Sequence, residues 1–242
     1  MTAPTTTPAS CSNSIGADLL QEAQGTSAFY DYCATLFLEP IEVPGTQFVV
    51  DLAARTRTLV EPWEKTALPG ADALAQWARR VQALPLESPA GASEDNAAGD
   101  CAREQQQLAA DRTFLFRAPA STAPTPPYQA YHQASRAGAS ENGPSPALAR
   151  AYADAGVHFA EQRGERDDYL GVQLAFAAYL AAQECIARES GDETRAEHLL
   201  RQREDFEDEH LSSWAPAWCA AAASQAHTAF FRAFLILLSA LL

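Results

Sequence analysis

Five histidines, His132, His158, His198, His210 and His227, are the first candidates for metal or acid–base chemistry in this sequence. No HExxH pair occurs, and Glu207-x-x-His210 is the single Glu-x-x-His of the chain. A di-iron helical bundle needs two such motifs and two further glutamates on facing helices. One copy on a densely acidic stretch leaves a helical-bundle metal enzyme as a minor alternative. No GxxxxGK[ST] phosphate loop, GxGxxG turn or GxSxG elbow is present, and nothing points to a Ser-His-Asp set. The five cysteines, Cys11, Cys33, Cys101, Cys185 and Cys219, are scattered without a CxxC pair. That pattern argues against a disulfide framework or zinc site and fits a reducing compartment.

Two stretches resist a purely structural reading. In Asp167–Gly171 (DDYLG), an aspartate before an apolar run reads as a helix N-cap, its carboxylate accepting a backbone N–H. A cap explains one Asp and leaves Tyr169 and Gly171 without a role. In His210–Trp218 (HLSSWAPAW), Trp214 and Trp218 stand four apart and share a helix face, and core packing accounts for them.

The elements that must position these residues read as helices throughout. Helices are expected at about Ser27–Leu38, Phe48–Leu59 (before Pro62), Ala71–Leu84 and Ala97–Phe116, the first with Phe29, Tyr30, Cys33, Leu36 and Phe37 and the third with Leu74, Trp77, Val81 and Leu84 at helical spacing. Pro124, Pro126 and Pro127 then impose a stiff extended connection up to Tyr128. A helix opening at Pro146 presents Leu148, Tyr152, Ala155 and Phe159 on one face, and Gly164 ends that segment. From Tyr169 to Gln183 there is no charged residue, so this helix belongs at the centre of the fold. A highly charged helix follows at about Glu193–Leu211, and a final one from Pro216 to the end. Residues 1–14 lack periodicity and are assigned to a disordered tail, and 85–96 and 136–146 to loops.

Hydrophobic residues make up 47% of the 242, enough for a sizeable core. The net charge of −14 opposes nucleic-acid binding, which needs cations against phosphates. It also attracts basic partners. The N-terminus has neither the basic start nor the apolar core of a secretory leader. The apolar run 229–242 is too short to span a bilayer and is interrupted by Arg232. It reads as a buried terminal helix, against the alternative of a membrane-tethered regulator. No stable membrane insertion is expected.

Four segments in order along the chain carry a family resemblance: FLFRAP (Phe114–Pro119), PPYQAYH (Pro126–His132), ERDDYLGVQLAF (Glu165–Phe176) and HLSSWAPAW led in by Phe206. Together they resemble the TorD/DmsD family of molybdoenzyme maturation chaperones. One departure is Tyr169, where that family has a histidine after the aspartate. A tyrosine still donates and accepts a hydrogen bond but does not titrate near neutrality. The resemblance implies an all-α, single-domain bundle of roughly ten helices and a cytoplasmic chaperone without catalytic residues, metal or cofactor. It implies that the chain binds the twin-arginine leader and apo catalytic subunit of a molybdoenzyme, assisting cofactor insertion and preventing premature export. A monomer or a domain-swapped dimer is expected. The neighbouring alternative is a nitrate-reductase-type chaperone that binds the mature apoenzyme.

A leader of that kind needs an apolar groove with carboxylates at one end to take the guanidinium forks. The residues assigned to it are Asp168, Tyr169, Glu165, Pro127, Tyr128, Tyr131, Phe114 and Phe116, with Gly171, His210 and Trp214 as structural members of the motifs. For Asp168 the competing role is the helix cap, and for Phe114 and Phe116 it is the core.

Overall fold

A helical stretch without charges has no face to offer water, and α6 (Leu170–Glu189), free of charge up to Gln183, is buried along most of its length. This relation comes from a computed structural model, which describes residues 9–41, 46–64, 68–84, 97–117, 126–132, 145–157 and 165–242. The described residues are almost all helical and hold no strand, an all-α bundle. Among them α6 alone is long and apolar enough to cross a membrane, and 67% of that stretch is buried inside the fold.

Its main partner is α1 (Ala9–Leu38), which runs antiparallel to it. Ser27 donates to the Ala178 carbonyl at 3.3 Å near the middle, and Gln24 reaches Glu189 at 3.5 Å further on. At the other end a Cβ on Gly171 would stand 2.6 Å from Phe37 Cβ. Glycine is what permits that crossing. The helix expected from Ser27 thus begins at Ala9, and residues 9–14, assigned to a disordered tail, are helical. Few apolar residues mark 16–26, but buried Ala23 shows this part packed, and tertiary packing extends helices beyond their own propensity.

The second helix also outruns its expectation. α2 (Thr46–Glu64) continues through Pro62. In a last turn a proline forfeits one ladder bond, and Trp63 packs edge-on against Phe29 at 5.1 Å. The next three follow the sequence closely: α3 (Ala71–Gln82), α4 (Ala97–Phe116) and α5 (Pro146–Asp154). Ser145 caps α5 by accepting from Leu148 N at 3.1 Å, with Pro146 in the first turn. Asp192 caps α7 (Glu193–Phe206), whose end widens into a π-helical segment, Glu207–Leu211.

The single terminal helix expected from Pro216 is two, α8 (Ala215–Gln225) and α9 (Ala229–Leu241). The corner is held by buried Asp111 of α4. It accepts from Thr228 N at 2.7 Å, the Thr228 hydroxyl at 2.6 Å and His227 N at 3.1 Å. The Thr228 hydroxyl oxygen in turn accepts from Phe231 N at 3.3 Å, starting the new helix. Phe230, Phe231, Phe234, Leu235 and Leu238 of α9 are buried, so the terminal apolar run faces the core. The loops expected at 85–96 and 136–144, the break at Gly164, and Pro119, Pro124 and Phe159 lie outside the described residues.

Candidate functional site

Pro126 and Pro127 have no N–H to give, but their carbonyls still accept. Leu170 N donates to Pro127 O at 2.8 Å, and Gln129 N to Asp168 O at 2.9 Å. These two bonds form an isolated antiparallel bridge between Tyr128 and Tyr169. The bridge joins the PPYQAYH and DDYLG segments. Tyr169 is extended there (φ −71°, ψ 133°) and occupies the N-cap position of α6 without a side-chain cap bond. The cap expected at Asp167 or Asp168 is therefore absent. The Asp168 carboxylate instead accepts from Ala130 N at 3.1 Å, stabilising the facing helical turn 129–132.

Asp168 is 1% exposed, and its other partner is Arg166, whose Nε and Nη2 reach Oδ1 and Oδ2 at 2.8 Å each. That fork makes a bidentate, charge-assisted pair. The Arg166 guanidinium lies over two rings, 5.0 Å from the Tyr128 centroid and 5.9 Å from that of Tyr131. Tyr128 packs against Tyr169 at 5.2 Å. Arg117 then covers Tyr169 at 5.1 Å. The result is a ladder in the order Arg117, Tyr169, Tyr128, Arg166, Tyr131. Cation–π contacts contribute roughly 0.5–2 kcal/mol each, more as they lose water.

The first rung is tied into the helices. Arg117 pairs with Glu165 and donates to the Phe37 carbonyl at 3.2 Å. Arg112 donates to the same carbonyl at 2.6 Å and to Leu36 O at 2.9 Å, and the Tyr169 hydroxyl reaches Phe37 O at 3.2 Å. The last carbonyls of a helix lack partners and carry partial negative charge, so two arginines and a tyrosine suit the end of α1. Burial opposes the Arg117 charge, but Tyr169 and Glu165 outweigh it and its pKa moves up. Burial pushes the Tyr128 and Tyr169 hydroxyls up, so both remain protonated donors.

Behind the ladder lies a buried amide–imidazole chain. Gln173 Nε2 donates to Gln129 Oε1 at 2.7 Å, and Gln129 Nε2 stands 3.4 Å from His210 Nδ1. Burial lowers the His210 pKa, and a neutral ring accepts at Nδ1. The His210 carbonyl accepts from Trp214 Nε1 at 2.7 Å, and Trp214 stacks on His132 at 5.0 Å. Glu207 turns away from His210 to pair with Arg203 at 2.8 Å. Among the described residues no three His, Cys, Asp or Glu side chains gather as a metal site.

All four motif segments therefore converge. The sequence model of the nitrate reductase delta subunit family matches residues 71–220, which contain every one of them. This chain belongs to the nitrate reductase delta subunit family. No curated protein and no solved structure matches it. The family is one of molybdoenzyme assembly chaperones, and membership implies a molybdoenzyme catalytic subunit as partner. α1 and α2 fall outside the matched segment, although Phe37 of α1 is built into the ladder.

Within this delta-subunit-family chain the expected residues divide. Glu165, Pro127, Tyr128, Tyr131, Asp168 and Tyr169 come together at the ladder, but Tyr169 is fully buried and closed to stacking by a partner. Phe116 is core, stacked on Phe37 at 4.3 Å. Phe114 sits apart, half-buried against His227 at 4.8 Å. Gly171, His210 and Trp214 pack beneath or beside the bridge. Reasoning from sequence missed Arg117, Arg166, Gln129 and Gln173. Each lies inside a quoted motif, and the signal was an arginine or amide beside residues already singled out.

Proposed function

We propose that this chain is a cytoplasmic chaperone that binds the twin-arginine leader and apo catalytic subunit of a molybdoenzyme, holding the precursor back from export until its cofactor is inserted. The observation that carries the reading is the acid–tyrosine ladder. Its carboxylates and ring faces accept guanidinium groups in the geometry that arginine satisfies and lysine does not. The net charge of −14 supports fast encounter with a basic leader. No bond is made or broken in such a task, so no residue is assigned to catalysis.

Calorimetric titration with synthetic twin-arginine leaders, each beside a twin-lysine control, tests this. Binding of one leader at least tenfold tighter than its control is expected. Glu165→Gln and Tyr131→Ala should each weaken it several-fold. Equal affinity for arginine and lysine forms would sink the leader reading. The second reading is a chaperone that binds only the mature apoenzyme. The enclosure of Asp168, 1% exposed, favours it, and pull-down of a leaderless catalytic subunit would support it.

A further inference from the structure

The two guanidinium groups of the ladder are held differently. Arg117 bridges Glu165 and the Phe37 carbonyl, so it fastens α4 to the end of α1. Among the described residues the Arg166 guanidinium donates to Asp168 alone, two positions along the same turn, while the Arg166 carbonyl accepts from Tyr169 N at 3.1 Å. Its other contacts are the Tyr128 and Tyr131 ring faces. The Arg166 side chain is 34% exposed, whereas the carboxylate it neutralises is 1% exposed. A buried carboxylate without a cation is costly, so an empty chaperone with this carboxylate needs a resident one.

We propose that Arg166 is a resident competitor that occupies a guanidinium subsite made by Asp168, Tyr128 and Tyr131, and that a client arginine binds by displacing it. The proposal rests on the leader reading above. Three features make exchange feasible. Asp168 stays anchored when Arg166 leaves, because Ala130 N still donates to Oδ2 at 3.1 Å. The turn is fixed by the backbone bridge rather than by Arg166. One planar fork replaces another, so the carboxylate is never left bare. Arg166 thereby sets both the affinity threshold and the selectivity. A lysine, lacking the fork, cannot match what it displaces, and weakly basic segments leave the subsite closed.

The test is calorimetry of wild type, Arg166→Gln and Arg166→Lys. The probes are an acetylated Arg-Arg amide dipeptide and a synthetic peptide in which Arg-Arg precedes an apolar helix-forming segment. Removing the competitor should tighten the peptide at least tenfold in Arg166→Gln. Arg166→Lys, which keeps the charge but loses the fork, should tighten it by a smaller factor. The corresponding Lys-Lys peptide should gain less than the Arg-Arg peptide in both variants. Circular dichroism and thermal melting establish that each variant is folded, and either folded variant suffices for the comparison. Unchanged or weaker Arg-Arg binding in the folded variants, with wild type binding the peptide, overturns the competitor and leaves the leader reading standing. No binding by wild type or by either variant overturns both.

Discussion

The contact between α3 and α9 and the junction of the four motifs solve the same problem by opposite means. In the first, Trp77 lies against Phe230 at 4.5 Å, and Gly70 turns under α9 at φ +87°. Apart from the Trp77 indole N–H, which donates to Glu104 of α4 at 2.7 Å, the side chains that meet there are apolar, and fit is a matter of shape. In the junction, buried atoms are polar at almost every point: two backbone bonds, a carboxylate fork, an amide pair and a neutral imidazole. Apolar packing tolerates approximate partners but not extra volume. A polar junction tolerates some looseness in shape but not an unpaired group. Stability should therefore be most sensitive to size at the first region and to hydrogen-bonding identity at the second.

Gly70→Ala makes the sharpest case for the shape-limited region. A Cβ there would stand 2.4 Å from Ala233 O and 2.7 Å from Leu237 N, both backbone atoms that cannot swing aside. Overpacking costs about 1–3 kcal/mol, and a left-handed alanine costs about 1–2 kcal/mol more. The expected loss is on the order of 3 kcal/mol, read from urea unfolding. A loss under about 1 kcal/mol would show that α9 shifts freely over this turn and would break the contrast. Leader affinity of the folded fraction should stay unchanged.

The two regions were also unequally legible in the sequence. α3 and α5 were found because a helical stripe, and for α5 the proline that opens it, are local signals. The junction depends on pairings across long separations, such as Tyr128 with Tyr169 and Gln129 with His210. Asp168 shows the difference. A local rule made it the cap of the helix that follows, whereas its actual backbone partner is Ala130 in another motif. Family resemblance brought the right segments together without saying which atoms meet. The α8–α9 corner went unseen for a related reason: Thr228 is an ordinary capping residue, but the acceptor that holds the turn is on α4.

That corner offers an intermediate test, because Asp111 is a polar post set into apolar surroundings. Asp111→Ala leaves Thr228 N, the Thr228 hydroxyl and His227 N without their acceptor. Losing the acceptor of buried donors costs about 1–3 kcal/mol, so a loss near 2 kcal/mol is expected in denaturant titration. Asp111→Asn keeps one acceptor oxygen and should recover part of it. Equal losses for the two variants would mean that volume, not hydrogen bonding, holds the corner.

The smallest expected effect lies in the junction and depends on pH. Burial lowers the pKa of His210 from its ordinary 6.5, so the unfolded chain takes up this proton more readily than the folded one. Acid then favours unfolding. The contribution is complete above about pH 6.5 and is lost as pH falls from there through the lower folded value. A protonated ring would turn Nδ1 into a donor facing the Gln129 amide nitrogen 3.4 Å away, while Glu209 stands 3.9 Å from Nε2 and opposes the shift only weakly from the surface. His132, also lowered by burial, acts in the same sense. A melting-temperature series from pH 7.5 to 5 should therefore fall more steeply for wild type than for His210→Gln, with the two curves converging at the acid end. Parallel curves would show that the imidazole stays neutral in both states or shares its proton with solvent. The polar junction would then be held by its amides and arginines alone.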